Sequence, residues 1–273
     1  MEPLSALTPF ATADELRQYA WALALVMARI LPMFVVLPFT GRNLLPGLLR
    51  NVIVIAIGLF VVPTMVDDVK AAQLAGFPIL GLILKEALIG LMLGYLVALP
   101  FWAVESAGFI IDNQRGASVA ATINPITGHD TSPLGIMFNQ AFVAFFFLIG
   151  GFQILLGLIY DSYLQWPPLS FWPELTPESA EIFVAQLNRL VTLALLLAAP
   201  VLIAMFISEV GLALISRFAP QLQVFILAMP IKSGLAMLML GLYAALFFDY
   251  TRPLVSEIGQ WVRVLDLGSG GRP

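Results

Sequence analysis

Ionisable side chains inside apolar stretches are the residues of this chain that could carry chemistry. Six lie within or at the edge of long apolar runs: Arg29, Lys85, Glu86, Arg189, Glu209 and Lys232. A charge near the centre of a bilayer costs about 2.5 kcal/mol or more, so such groups normally face protein or water. They mark ion pairs within the chain, contacts with other subunits, or a hydrated channel. Glu209 with Lys232 is one candidate pair within the chain.

The neighbours Lys85 and Glu86 are a special case. On a helix, adjacent side chains point about 100° apart. We therefore expect that these two cannot simply neutralise one another, and that at least one of them has a partner elsewhere in the protein.

Residues for enzyme chemistry are scarce. The sequence has one histidine, His129, in the polar stretch from Asn124 to Asp130, so a multi-histidine metal site cannot form within one chain. Cysteine is absent, and the sequence contains neither a glycine-rich phosphate loop nor a nucleophile elbow. The sequence predicts no catalytic residues, no metal site, no cofactor and no enzymatic activity. If energy is used, a partner supplies it.

Composition indicates an integral membrane protein. Hydrophobic residues make up 60% of the chain, charged residues 11%, and the mean hydropathy is +0.95. The net charge of -4 is small, and no run of lysine or arginine occurs, which argues against nucleic acid as a partner.

Apolar length predicts about six helices that must position these residues: roughly Ala20–Phe39, Val52–Val66, Phe77–Val104, Pro133–Tyr160, Ile182–Ile215 and Leu222–Phe248. The second is about fifteen residues long, below the roughly twenty needed to cross a hydrocarbon core, and the fifth is far longer than needed. Prolines inside the spans predict broken or kinked helices: Pro32, Pro63, Pro100, Pro200 and Pro230. Thr176 and Pro177 resemble an N-cap and a first helical residue.

Gly90 and Gly94 match the small-xxx-small pattern of close helix packing. Glycine is also common in membrane helices, so a specific contact and a chance occurrence are both open.

The longest polar interruption runs from Glu105 to Pro133. Loops of about thirty residues in compact proteins are usually functional or disordered. Small residues such as Gly116, Ala117 and Ser118 would let this segment pack closely against other backbones, as a pore-occluding segment must. A plain solvent loop is the alternative.

Two separated motifs carry a family resemblance. The first is Asp112-Asn113-Gln114-Arg115-Gly116, followed downstream by Asn124-Pro125; the second is Phe218-Ala219-Pro220-Gln221-Leu222-Gln223-Val224-Phe225, leading to Met229-Pro230-Ile231-Lys232. From about Ala20 to Pro253 the chain resembles the FliR/SctT family of type III secretion export-apparatus proteins. The Met-Pro-Ile-Lys motif is closer to the injectisome branch (SctT, also called HrcT or YscT) than to flagellar FliR. Gln223 departs from the asparagine expected there but keeps the amide.

The resemblance implies an all-α membrane fold of bent helical hairpins in a hetero-oligomeric export gate of the bacterial inner membrane. It implies three kinds of membrane partner, the SctR (FliP-like), SctS (FliQ-like) and SctU (FlhB-like) subunits, together with membrane lipid and unfolded secreted proteins as substrates. The implied mechanism is gating without chemistry, in which a loop closes the entry channel at rest.

The resemblance also implies a division of the single helical domain 1–273. Residues of about 1–160 form an SctR-like part with a plug loop near 105–133, about 180–255 form an SctS-like hairpin, and 256–273 form a flexible tail. The implied plug and gating residues are Asp112, Gln114, Arg115, Gly116, Ala117 and Ser118. The implied subunit-packing or buried polar residues are Arg29, Lys85, Glu86, Glu105, Glu209, Pro220, Gln221, Pro230 and Lys232.

A secondary transporter for a small solute is the alternative function. Broken helices and buried charges would then form a site near the bilayer midplane, and the two halves of the sequence would show internal symmetry. The segment Pro220–Lys232 has no counterpart near Thr40–Val52 beyond a shared proline.

Overall fold

A computed structural model of the chain describes residues 13–41, 45–72, 77–116, 132–170, 177–219 and 224–260. In these ranges the protein is helical and contains no strand, which confirms the all-α prediction. The α-helices are α1 (Ala13–Val36), α2 (Gly47–Leu59), α3 (Val62–Ala71), α4 (Phe77–Gln114), α5 (Pro133–Leu148), α6 (Gly151–Gln165), α7 (Pro177–Phe218) and α8 (Val224–Ile258). A 3-10 turn, Pro38–Thr40, follows α1.

Four described helices are long and apolar enough to cross a membrane, within Glu15–Val36, Ile79–Gln114, Glu181–Phe218 and Leu227–Ile258. The number rises to six if each of two bent helix pairs is one span. The predicted short second span corresponds to one of these pairs, α2 and α3, which is bent by 67° at the break. The second pair, α5 and α6, is bent by more than 40°.

The bends have different local causes. Pro63 lies in the first turn of α3, where a missing N–H costs nothing, and the break between α2 and α3 precedes it. The break between α5 and α6 falls at Ile149–Gly150, and Gly150 has φ +80°, a conformation that favours glycine.

Helix breaks predicted at the other prolines do not occur. The helices continue through Pro32, Pro100, Pro200 and Pro230. Neighbouring side chains, ordered waters and local adjustment satisfy backbone groups freed by proline in membrane helices.

The described residues form two compact units. Of the described residues, the first contains those within 13–98, 155–180 and 259–260, and the second contains those within 99–154 and 181–258. The core of the first includes fully buried Ala22, Leu25 and Val26 of α1. The core of the second is aromatic: the buried ring of Phe101 lies 4.8 Å from that of Phe142 and 5.3 Å from that of Phe146, both at edge-to-face angles.

Helices α1 and α4 approach closely in the first unit. A Cβ built on Gly90 would overlap the backbone carbonyl of Arg29, and one on Gly94 would lie 3.0 Å from Cα of Met33. The contacting residues are four apart on each helix, Arg29 and Met33 on α1 and Gly90 and Gly94 on α4. One turn of α1 therefore lies directly on one turn of α4. The small-xxx-small pattern therefore marks a specific contact.

Candidate functional site

Asp112 forms a buried junction in the second unit, at the end of α4. Its side chain is almost fully buried, with 3% of the residue exposed. Oδ1 accepts a hydrogen bond from Nε of Arg115 at 2.7 Å and pairs with Nη2 at 2.6 Å. Oδ2 accepts from the hydroxyl of Ser132 at 2.6 Å and from the backbone N–H of Leu134 at 2.9 Å. One carboxylate thus joins the residues before segment 117–131 to those after it.

The first residues of α5 supply the hydrogen bonds on the far side of this junction. Ser132 is the N-cap of α5, and its Oγ accepts a hydrogen bond from the N–H of Gly135 at 2.9 Å while donating its own proton to Asp112. Pro133 follows in the first turn. Gly108 of α4 lies against Gly135, where an added Cβ would come within 2.6 Å of the backbone nitrogen. These two glycines allow the backbones to approach closely enough for one carboxylate to bridge them.

The two separated sequence motifs meet in this unit. Gly116, with φ +83°, lies beside the side chain of Met229, and a Cβ built on it would be 3.5 Å from Cγ of that methionine. Glu209 of α7 pairs with Nζ of Lys232 at 2.7 Å and accepts a long contact of 3.4 Å from the amide of Gln114. The predicted pairing of Glu209 with Lys232 is confirmed.

A second ion pair joins α7 to α8. Nη2 of Arg189 lies 2.6 Å from Oε2 of Glu257, and both side chains are about one-third exposed. Glu257 was not among the predicted residues, because it falls outside the apolar runs used to choose them.

A cluster of three charges lies in the first unit. Nε of Arg29 donates to Oε2 of Glu86 at 2.6 Å, and Nζ of Lys85 lies 2.7 Å from the other carboxylate oxygen. Exposure of the side chains is 1% for Arg29, 0% for Glu86 and 9% for Lys85. The expectation that Lys85 and Glu86 cannot neutralise one another is wrong, since the flexible lysine stem spans the angle between adjacent positions.

Backbone carbonyls accept further hydrogen bonds from both cations of this cluster. Arg29 donates to the carbonyls of Ser162 and Trp166 at 2.7 Å each, at the C-terminal end of α6. Lys85 donates to the carbonyls of Pro168 at 2.9 Å and Ser170 at 2.8 Å. Free carbonyls at a helix C-terminus carry partial negative charge, which complements these cations. The expectation that Lys85 or Glu86 has partners elsewhere is therefore confirmed for both.

The arginine is also positioned by an aromatic ring. Its guanidinium carbon lies 4.2 Å from the ring centroid of Tyr163, a cation–π contact, and the tyrosine hydroxyl donates to the carbonyl of Val26 at 2.9 Å. Arg29 and Lys85 thus act together as a clamp on the end of α6 and the following turn.

The predicted plug residues do not share one loop. Helix α4 continues past Glu105 to Gln114, so Glu105, Asp112 and Gln114 are helical and the loop predicted from Glu105 onward starts later. Arg115 and Gly116 form the turn after the helix. Four predicted site residues lie outside the described ranges: Ala117, Ser118, Pro220 and Gln221. His129 and the tail 261–273 also lie outside them, whereas Pro230 lies inside α8.

Sequence reasoning missed Ser132 and the backbone of Leu134 as partners of Asp112. The end of the polar segment at Pro133 was predicted, and the Ser132-Pro133 pair, as a helix-start signal, could have identified Ser132 as an N-cap near that end. Among described residues, no group of three His, Cys, Asp or Glu side chains is placed to hold a metal ion.

Long apolar helices with ion pairs buried between them define a multi-pass helical membrane protein of the inner-membrane type. The family model for bacterial export proteins, family 1, matches residues 20–258, and the chain belongs to this FliR/SctT family.

Relatives extend over most of the chain. Yop proteins translocation protein T of Yersinia pestis is 44% identical over 232 residues, covering 85% of this chain and 88% of that protein. Surface presentation of antigens protein SpaR of Salmonella typhimurium is 36% identical over 234 residues, covering 86% and 87%. Flagellar biosynthetic protein FliR of Bacillus subtilis is 29% identical over 236 residues, covering 86% and 90%. The higher identities to the first two favour the injectisome branch.

Proposed function

We propose that this chain is a core subunit of a type III secretion export gate, where it forms part of the inner-membrane and periplasmic entry channel for unfolded secreted proteins. The names of its relatives, which refer to Yop protein translocation, surface presentation of antigens and flagellar biosynthesis, support this proposal. Its partners are the SctR-, SctS- and SctU-like membrane subunits. The chain contributes a gate and no catalytic step.

The gate is segment 117–131, and the observation that carries this part of the proposal is the position of Asp112. The carboxylate is bonded to Arg115 on one side of the segment and to Ser132 and Leu134 on the other. Because the residues that flank the segment on both sides are held at one buried group, its attachment points are fixed. Asp112 and Arg115 hold the attachment on the α4 side, and we assign Ala117 and Ser118 to the gate itself.

The remaining sites fit roles in packing. The SctR-like part, about 1–160, contains the Arg29–Glu86–Lys85 cluster. The SctS-like hairpin, about 180–255 in the sequence, corresponds to α7 and α8, which are joined by the pairs Arg189–Glu257 and Glu209–Lys232. Pro220, Gln221 and Pro230 shape this hairpin at and beyond its turn, and the surfaces around these pairs face neighbouring subunits.

Asp112→Ala tests the gate. The substitution removes the carboxylate that pairs with Arg115 and accepts hydrogen bonds from Ser132 and Leu134. Losing one partner of a buried pair costs about 3–5 kcal/mol. At about 1.4 kcal/mol per tenfold change, we expect the open population to rise roughly a hundredfold to a few thousandfold. Planar-bilayer recordings of the assembled complex should show raised ion conductance, and removal of residues 117–121 should have the same effect with assembly intact.

Asp68→Ala is the matched control, because Asp68 is an exposed acid on α3. It should leave conductance at background. An assembled complex in which both Asp112→Ala and the shortened segment also stay at background would contradict the assignment of the gate.

A further inference from the structure

An open cavity of about 500 Å³ lies between α4 and α5 in the second unit. Its α4 wall consists of Trp102, Glu105, Ser106 and Phe109, whose spacing of three and four residues places them on one face of the helix. Ser132 and Ile136 contribute to the α5 wall. The lining is therefore mixed: the large apolar side chains Trp102, Phe109 and Ile136 lie beside one acid and two hydroxyl groups.

Glu105 is the acid, and its hydrogen bonding is incomplete. One carboxyl oxygen accepts from the side-chain amide of Asn139 at 2.9 Å. Within the described part of the chain, no lysine or arginine pairs with Glu105. The amide oxygen of Asn139 is buried and has no hydrogen-bond partner among the described residues. Glu105 is thus a half-buried acid in the cavity wall that is hydrogen-bonded to a neutral amide.

An acid at this position calls for a cationic partner, because Glu105 lies within a candidate membrane span and an acid there normally pairs with a cation. Lysine and arginine fit the mixed lining, because their aliphatic stems pack on the apolar side chains while the charged head reaches Glu105. The rings of Trp102 and Phe109 add faces on which a cation is favourable.

We propose that this cavity receives a lysine or arginine side chain from an apolar helix of a neighbouring membrane subunit, with Glu105 as its charge partner. The inference rests on the proposed function, which supplies the neighbouring subunits. It identifies the α4–α5 face as a docking surface and a cation on an apolar helix as what docks there.

A single introduced cysteine provides the test, since the chain has none of its own. Ile136 lines the cavity and is 46% exposed, so Ile136→Cys gives a unique reporter of access. In mild detergent, a maleimide-polyethylene glycol reagent should label this cysteine readily in the chain alone. Co-expression with the SctR-, SctS- and SctU-like subunits should slow labelling at least about tenfold. Separating a docked charge pair leaves a buried charge unmatched and costs more than about 1.4 kcal/mol, the free energy of a tenfold change in the exposed population.

Charge reversal then identifies the partner group. Glu105→Lys should restore fast labelling and lower recovery of the partners at least about tenfold, and a lysine or arginine changed to glutamate in one partner helix should reverse both effects. Glu105→Gln keeps the size of the side chain and the contact with Asn139, and it should give an intermediate loss. Asp161→Lys is the matched control, since Asp161 is exposed, and it should change neither measurement.

The outcomes separate the two proposals. If the unchanged chain fails to recover the partners, the proposed function is overturned. If the partners are recovered but Ile136→Cys stays fully labelled, or Glu105→Lys changes nothing, the docking inference alone is overturned. Equal protection in phosphatidylethanolamine vesicles without partners would assign the cavity to a lipid headgroup and would also overturn the inference.

Discussion

Replacing Glu86 by leucine is expected to destabilise the chain by about 3–5 kcal/mol, the cost of leaving buried charges without their partner. Glu86 is fully buried, and it is the acid that the described part of the chain brings to both Arg29 and Lys85. Without it, two cations lie in a buried site with backbone carbonyls and the hydroxyl of Ser162 as neutral acceptors. Since a domain is stable by about 5–15 kcal/mol, this loss removes a large share of the total.

Thermal unfolding of the detergent-solubilised chain, followed by size-exclusion chromatography, measures the effect. Glu86→Gln keeps an acceptor for Nε of Arg29 but loses the charge, so it should fall between the unchanged chain and Glu86→Leu. Asp68→Leu changes an exposed acid in the same unit and should shift the unfolding temperature little. Equal unfolding temperatures for Glu86→Leu and Asp68→Leu would show that the cluster contributes nothing to stability.

Gly90→Ala is expected to destabilise the chain by about 1–3 kcal/mol, the usual cost of overpacking a tight contact, although alanine is a better helix former than glycine. The new methyl group would overlap the carbonyl of Arg29. The backbones of α1 and α4 must then separate, which also moves Arg29 away from Glu86. The variant therefore weakens the helix contact and the charge cluster together.

Gly234→Ala is the control for this prediction. Gly234 also lies inside a helix, but a Cβ built there has nothing within 4 Å. Its replacement by alanine should stabilise the isolated chain by up to about 1 kcal/mol, as expected for an exposed helical glycine. The same unfolding measurement applies to both variants. Opposite shifts are expected, and a Gly90→Ala chain that unfolds at or above the temperature of Gly234→Ala would contradict the close contact.

The sequence predicted the long-range features that depend on membrane energetics. Charges in apolar runs must find partners, and this principle gave Glu209 with Lys232 as a candidate pair and predicted that Lys85 or Glu86 has a partner elsewhere. Helix length and apolar content located the spans, and Pro177 was correctly predicted as a helix start. These features depend on local composition, which a single sequence reports well.

Features that depend on tertiary contact were missed or misplaced. The polar character of Glu105 to Gln114 suggested a loop, but α4 continues there, with Glu105 bonded to Asn139 and Asp112 bonded to the start of α5. The break at Gly150 was missed because it lies in a continuous apolar run, and adjacent Gly150 and Gly151 were its only local signal. Proline was also overestimated as a helix breaker. The cost of a proline inside a helix depends on whether neighbouring groups satisfy the freed backbone carbonyl, and those groups are set by tertiary contacts.

Native mass spectrometry of the chain purified in mild detergent after co-expression with its neighbouring membrane genes tests the central claim most directly. The account predicts a single copy of this chain in a large complex with several copies of two small helical membrane proteins, the SctR- and SctS-like subunits. A free monomer or a symmetric homodimer that binds a small solute would contradict the account and favour a transporter.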